Sequence, residues 1–233
     1  MIEIAFNIDK NYINQCKTVI NSILANTKSK VHFNIIGLDK FENCTCFGVP
    51  DVSIIKRNTN FGHITTSACY RLFLPDILPY KKVIYLDCDL IVLDDIKKLW
   101  NYDVDLIAGV QDPLFIHHAK KNNLKHCYIN SGVLLINLDK MRKIDYKKRI
   151  IEAQRPEYNL SSLDQDIINI AFGEYIEHLP EKWNVYSNIY NETTTEMLSA
   201  RINPSIIHWC GANKPFNSNL VWKYELWQKY AIM

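Results

Sequence analysis

The sequence predicts an α/β fold, with a mixed, mostly parallel central sheet flanked by helices. Three observations predict it. Apolar runs of strand character alternate with segments of helical periodicity along the first half of the chain, and such alternation implies parallel pairing through right-handed crossovers. The run Val83-Ile84-Tyr85-Leu86 has no polar face, as a strand covered on both sides requires. The composition, 48% hydrophobic and 22% charged over 233 residues, is that of a globular chain long enough to bury a sizeable core.

The elements follow in order. Ile2 to Ile8 alternates and ends at Asp9, giving a first strand. Cys16, Val19, Ile20, Ile23 and Leu24 recur at helical spacing and give a helix with one apolar stripe. Val31 to Gly37 and Val52 to Ile55 read as the second and third strands. Thr65 to Leu74 reads as a helix stopping before Pro75, and Val83 to Asp87 as the fourth strand. Asp94 and Asp95 are placed to cap a short helix from Ile96 to Trp100. Further strands are expected at Leu106 to Val110 and Gly132 to Ile136, with helices at Lys140 to Ala153 and Leu163 to Phe172. A short strand from Ile206 to Trp209 and an aromatic-rich helix from Leu220 to Tyr230 complete the chain. There is no internal repeat, low-complexity tract or flexible linker, so residues 1–233 are expected to form a single domain.

Composition also excludes. A net charge of +2 without a basic run gives no nucleic-acid footprint. The seven cysteines (Cys16, Cys44, Cys46, Cys69, Cys88, Cys127, Cys210) are odd in number and irregularly spaced, which suits reduced, buried thiols of a cytosolic protein. Cys44 and Cys46 lack the second pair that a tetrahedral zinc site needs. No secretory signal pattern opens the sequence, and no apolar segment approaches the ~18 residues that span a bilayer, so a soluble, cytoplasmic protein is expected. Neither a G-x-G-x-x-G nor a G-x-x-x-x-G-K-[ST] motif is present. A bound nucleotide would therefore have its phosphates held by a metal and side chains.

The most informative feature is Asp87-Cys88-Asp89, which interrupts an otherwise apolar stretch from Val83 to Leu93. Unpaired buried carboxylates are heavily penalised, and a divalent cation is an economical partner for two of them. A cation at the end of a buried strand can neutralise a diphosphate. Asp9 also ends a strand, and in open α/β sheets ligands bind beyond the carboxyl ends of the strands.

Other elements accompany this one in a fixed order. Asp9-Lys10-Asn11-Tyr12 follows the first strand, and Thr65 to Leu72, with Arg71, precedes the acidic pair. Asn130-Ser131-Gly132-Val133-Leu134-Leu135-Ile136-Asn137-Leu138, Leu163-Asp164-Gln165-Asp166 and Ile207-His208-Trp209-Cys210-Gly211-Ala212-Asn213-Lys214-Pro215-Phe216 follow it. In that order they resemble glycosyltransferase family 8, which includes bacterial lipopolysaccharide and lipooligosaccharide galactosyl- and glucosyltransferases, and glycogenin. The resemblance runs from residue 2 to about 216, and the Asn130–Leu138 segment is closer to the bacterial branch.

The resemblance implies a GT-A fold with a Rossmann-like nucleotide-binding half, here 1–100, and a donor-sugar and acceptor half, here 101–233. It implies a retaining hexosyltransferase that takes glucose or galactose from UDP-glucose or UDP-galactose to a carbohydrate or glycoconjugate hydroxyl. Asp87, Asp89 and His208 would hold Mn²⁺, with Mg²⁺ as the alternative; two carboxylates and one imidazole suit the borderline ion better. Lys214, beyond the flexible Gly211, would meet the β-phosphate. Asp9, Asn11, Tyr12 and Cys88, with His63 and Ile64, would sit on the nucleotide side. Arg71, Asp112, Asn130, Asp164 and Gln165 would surround the donor sugar. Gln165 matches the residue opposite the leaving group, and an amide there disfavours a covalent intermediate, which leaves a front-face mechanism; the adjacent Asp164 is the alternative nucleophile.

The acceptor region is expected in Leu114 to Tyr128, whose His117, His118, Lys120, Lys121, Lys125 and His126 give it basic character and a possible role as a lid. The segment with Trp222, Tyr224, Trp227 and Tyr230 either packs on the core or makes peripheral contact with the inner membrane face. Competing readings are a UDP-sugar hydrolase, a nucleotidyltransferase, and a non-catalytic nucleotide-sugar-binding domain. Lys10 stands where some relatives carry a second acid.

Overall fold

A computed structural model describes residues 1–56, 66–191 and 193–231. In order, the elements are β1 (Ile2–Asn7), α1 (Ile13–Asn26), β2 (Val31–Ile36), β3 (Thr45–Phe47), α2 (Leu74–Ile77), β4 (Lys82–Leu86), β5 (Leu90–Val92), α3 (Lys97–Trp100), β6 (Ile107–Gln111) and α4 (Phe115–Lys121). They continue with β7 (Ile129–Asn137), α5 (Leu138–Lys143), α6 (Tyr146–Glu152), α7 (Asp164–Phe172), β8 (Ile176–His178), β9 (Val185–Tyr186), α8 (Thr195–Ala200), β10 (Ile206–His208) and α9 (Tyr224–Ala231). Among the described residues, seven strands form one sheet in the order β3-β2-β1-β4-β7-β6-β8, and β5-β10-β9 form a second. The large sheet is mixed: β3, β2, β1 and β4 are parallel, and β7 runs antiparallel between β4 and β6.

β4 and β7, at the centre of the large sheet, are apolar on both faces because both faces are covered. Val83, Tyr85, Leu134 and Ile136 point to a layer that includes Met141, Ile150, Ile167 and Phe172. Ile84, Leu86, Val133 and Leu135 point the other way, to Val19 and Ile23 of α1 and to Trp183. The period of two thus sorts one continuous apolar run between two cores. The small sheet is divided likewise. Leu90, Val92 and Ile206 join the second core, while Ile91 and Ile207 meet Trp227 and Tyr230 of α9. The aromatic C-terminal residues Trp227 and Tyr230 are therefore buried against the sheet, and no described helix is long and apolar enough to cross a membrane.

Several expectations are corrected. Val52 to Ile55 is a turn, closed by Ile55 N–H donating to the Val52 carbonyl; the third strand is instead Thr45–Phe47, paired with β2. Thr66–Phe73 is a 3₁₀ helix, and Pro75 lies in the first turn of the short α2 that follows it, where its missing N–H costs no hydrogen bond. The single helix expected at Lys140 to Ala153 is two, α5 and α6, because Asp145 caps a fresh start by accepting from the Lys148 N–H. Leu24, placed on the apolar stripe of α1, is exposed. Leu114 to Tyr128 contains α4, which is tied down at its end: Lys121 pairs with the buried Asp166, and Asn122 exchanges hydrogen bonds with the Asn159 backbone.

A 3₁₀ turn, Glu181–Trp183, buries Trp183 beside the second core and leaves Glu181 half-buried near α8. Burial, and then Glu196 of α8, pushes the Glu181 carboxyl up to about 7 from an ordinary 4.5. The folded protein then holds a proton that the unfolded chain has released. The stability this contributes is fully present below about pH 4.5 and lost as pH rises through about 7. Glu181→Gln should therefore gain thermal stability relative to the parent at about pH 8.5 and not at about pH 5; melting curves with the same offset at both pH values would contradict the assignment.

Candidate active site

The acidic pair lies where the chain leaves one sheet and enters the other. β4 ends at Leu86, β5 begins at Leu90, and Asp87-Cys88-Asp89 is the step between them. This explains an apolar run broken by charge: it is two strands, each buried in its own sheet. The Asp87 N–H donates to the Gly132 carbonyl at 2.8 Å, fastening the step to β7. Antiparallel pairing of β10 with β5 then sets His208 opposite Leu90, and the Trp209 N–H donates to the Asp89 carbonyl at 2.9 Å. Strand register, rather than sequence proximity, thus carries the imidazole to the two carboxylates.

Asp87, Asp89 and His208 each offer a ligand atom, all within 4.8 Å of one another. His208 Nε2 is 3.0 Å from Asp89 Oδ1 and 3.9 Å from Asp87 Oδ2. A divalent cation fits this donor set, two carboxylate oxygens and one nitrogen. Space for it depends on Gly132: a Cβ there would lie 2.2 Å from His208 Cε1 and 2.7 Å from Asp87 Oδ2. The Lys214 ammonium reaches Asp89 Oδ2 and donates to the Trp209 carbonyl at 2.6 Å. Gly211, with φ +88°, turns the intervening loop so that it can. Burial alone would push the Asp89 carboxyl up, but His208 and Lys214 outweigh it and hold the group below the usual carboxylate range.

A second charge cluster backs the first. The buried Arg71 guanidinium bonds Asp87 Oδ1 at 2.8 Å and Asp164 Oδ2 at 3.2 Å. It also donates to the Ser131 carbonyl and the Ala68 carbonyl and lies over the Tyr85 ring. The Tyr85 hydroxyl donates to Asp87 Oδ1 at 2.7 Å. Burial raises the Asp164 carboxyl to about 6; Arg71 pulls it down and Asp87 pushes it up.

The remaining candidates fall around these clusters. Gln165 is buried beside Asp164 at the start of α7; its Oε1 accepts from Asn130 Nδ2 at 2.8 Å and the Ser131 N–H at 3.1 Å, and its Nε2 donates to Asp112 Oδ2 at 3.0 Å. Asp112 also accepts from the Tyr186 hydroxyl at 2.8 Å and from the Leu114 N–H. Asp9 follows β1, neighbour of β4, and its side chain accepts from the Asn11 N–H at 2.8 Å. Tyr12 stands edge-on to Phe216, near enough for Asp89 to help raise its hydroxyl pKa after burial. The Cys88 side chain turns into the core against Cys16, leaving its backbone to the site. Lys10 and Asn11 are exposed. His63 and Ile64 lie outside the described residues. Asn184, Tyr186, Tyr85 and Ser131 were not singled out from sequence as site residues. Ser131 and Tyr85 sit inside segments that were; Asn184 and Tyr186 carry no local pattern to find them by.

The family model described as Glycosyl transferase family 8 matches residues 3–219. The chain is 30% identical over 258 residues to General stress protein A of Bacillus subtilis (strain 168), covering 93% of this chain and 88% of that protein. It is 25% identical over 260 residues to Probable galacturonosyltransferase-like 4 of Arabidopsis thaliana, covering 92% and 73%. Among solved structures it matches the galactosyltransferase LgtC in complex with donor and acceptor sugar analogues, with a TM-score of 0.81 at 24% identity over 99% of this chain and 95% of that chain. It also matches the glycosyltransferase GlyE of Streptococcus pneumoniae TIGR4, with a TM-score of 0.75 at 22% identity over 100% and 61%.

Gly132→Ala tests the geometry with one carbon atom. Its Cβ cannot coexist with the His208 ring as placed. A displacement on the order of 1 Å costs about a hundred-fold in catalytic efficiency, so kcat/KM should fall by about that factor while circular dichroism stays unchanged. Full activity in a folded variant would contradict the placement of His208.

Proposed function

Because the chain belongs to glycosyltransferase family 8 and has the GT-A fold of its structural neighbours, we propose that it is a retaining hexosyltransferase. Its donor is a UDP-sugar, UDP-glucose or UDP-galactose, and its acceptor is a carbohydrate or glycoconjugate hydroxyl. The observation that carries this reading is the register of β10 on β5, which brings His208 to the step holding Asp87 and Asp89.

In this reading residues 1–100 hold the nucleotide and residues 101–233 the donor sugar and acceptor. Asp9, Asn11 and Tyr12 take the uridine at the carboxyl end of β1. Asp87, Asp89 and His208 hold Mn²⁺, or Mg²⁺ in its place, which when bound supplies Lewis-acid stabilisation of the charge growing on the departing diphosphate. Lys214 adds a point charge for the same oxygens once it leaves Asp89. Arg71 pairs with Asp87 and orients it. Asp112, Asn130, Asp164 and Gln165 present fixed acceptors and donors to sugar hydroxyls.

Retention through a front-face route is supported by the state of the two residues that would otherwise be nucleophiles. Gln165 Oε1 already accepts two hydrogen bonds. Asp164 Oδ2 is held by Arg71 and the Ser131 hydroxyl. In this reading the acceptor hydroxyl approaches from the face that UDP leaves, and a phosphate oxygen receives its proton. The protein contributes position and electrostatics. An open groove of about 470 Å³ walled by Ser187, Asn213, Leu220 and Trp222, rather than by residues of Leu114 to Tyr128, offers room for the acceptor.

Incubation with Mn²⁺ and a panel of UDP-sugars, with and without sugar acceptors, tests the reading. UDP release should depend on acceptor; equal release without one would show a hydrolase, and binding without release an inert module. Asp89→Asn, nearly isosteric, should lower turnover at least about a thousand-fold, the effect of losing several kcal/mol of charge stabilisation. Full turnover in that variant would remove Asp89 from the mechanism.

A further inference from the structure

Behind the three proposed metal ligands runs a chain of side-chain amides whose direction is imposed from one end. The Gly132 N–H donates to Asn130 Oδ1 at 3.0 Å, and the Ser131 N–H donates to Gln165 Oε1 at 3.1 Å. A backbone N–H cannot exchange its role, so Asn130 must turn its oxygen to Gly132. Asn184 approaches that same oxygen at 2.8 Å and must therefore present its NH₂ group. Its carbonyl then faces the other way, 2.8 Å from His208 Nδ1. A carbonyl accepts only from a protonated ring nitrogen, which in the neutral ring leaves Nε2, the nitrogen 3.0 Å from Asp89, to supply the lone pair a cation would take. Asn184, Asn130, Gln165 and His208 are all buried, so water does not compete for these bonds.

We propose that Asn184 is a positioning residue: it fixes the tautomer and ring plane of His208 and couples the metal ligand to the donor-sugar residues Asn130 and Gln165. The inference rests on the reading of Asp87, Asp89 and His208 as metal ligands, and adds a residue that neither sequence pattern nor resemblance indicated. Outer hydrogen bonds of this kind orient ligating imidazoles and raise their basicity, and their loss typically lowers metal affinity by about 10–100-fold. The amide has two ends with separable tasks. Its oxygen serves His208. Its nitrogen serves Asn130, whose own Nδ2 holds Gln165 Oε1 at 2.8 Å.

The test measures Mn²⁺ binding to the full chain with UDP present, by electron paramagnetic resonance. Spin-echo modulation from a coordinated imidazole nitrogen reports on His208 directly. The parent should show that modulation, and Asn184→Ala should bind Mn²⁺ about 10–100-fold more weakly with the modulation lost or altered. Asn184→Asp keeps an acceptor for Nδ1 but not the donor to Asn130. It should hold Mn²⁺ within a few-fold of the parent while kcat/KM for the donor falls. Asn184→Leu, similar in volume and without either hydrogen bond, repeats the test should Asn184→Ala fail to fold. A parent lacking imidazole modulation would overturn the metal reading and this inference together. A parent that shows it, with Asn184→Ala or Asn184→Leu unchanged in affinity and modulation, would overturn the positioning role alone. Asn184→Asp binding as weakly as Asn184→Ala would likewise contradict it, because the oxygen end would then not be what matters.

Discussion

Two carboxylates distant in sequence, Asp87 and Asp164, share one buried guanidinium, that of Arg71. Much of the site follows from this pairing. A carboxylate set into a low-dielectric interior is tolerated only with a partner, and removing one member of such a set costs about 3–5 kcal/mol. Burial works against the charge on Arg71, and Asp87, Tyr85 and Asp164 together overcome it, so its pKa stays above the ordinary value. The guanidinium is planar and presents its donors in a fixed fork. It therefore orders Asp87 on the step between two sheets and Asp164 at the start of α7 relative to one another, before any ligand arrives.

The same logic explains the composition of the wall behind the ligands. Lys214 and His208 offset Asp89 on one side, and Arg71 offsets Asp87 on the other. Neutral amides fill the space between, each satisfied by the next. Charges occur where a charged ligand would sit, and dipoles where only orientation is needed. A buried polar network of this kind is stabilising only when every member is satisfied. It holds its side chains in one arrangement, as preorganised electrostatic catalysis requires.

Much of this was legible in the sequence. β4 and β7, at the centre of the large sheet, announced themselves as apolar runs because both faces are covered; β3 and β8, at its edges, did not. The acidic pair stood out because charge within such a run needs an explanation. His208 and Lys214 were found through the order of short motifs, since nothing in their local pattern marks them. The rest was hidden for physical reasons. β5 and β9 have only three and two residues, too few to show a period, whereas β10 falls where a short strand was expected from Ile206 to Trp209. Val52 to Ile55 has the residue types of a strand but closes on itself as a turn, while Thr45–Phe47, with cysteine at its centre, pairs with β2. Asn184 was invisible because its partners, Asn130 and His208, lie 54 and 24 residues away. A residue whose meaning lies in long-range hydrogen bonds leaves no trace in its neighbours.

The central claim is that Asp87, Asp89 and His208 form one cation site at the junction of the two sheets. The most direct measurement is anomalous-difference density at the manganese edge from crystals soaked with Mn²⁺ and UDP. The account predicts a single strong peak between these three side chains, with the diphosphate completing its shell and the Lys214 ammonium displaced from Asp89 toward phosphate. A fully occupied nucleotide with no peak there, or with its metal held by other residues, would contradict it.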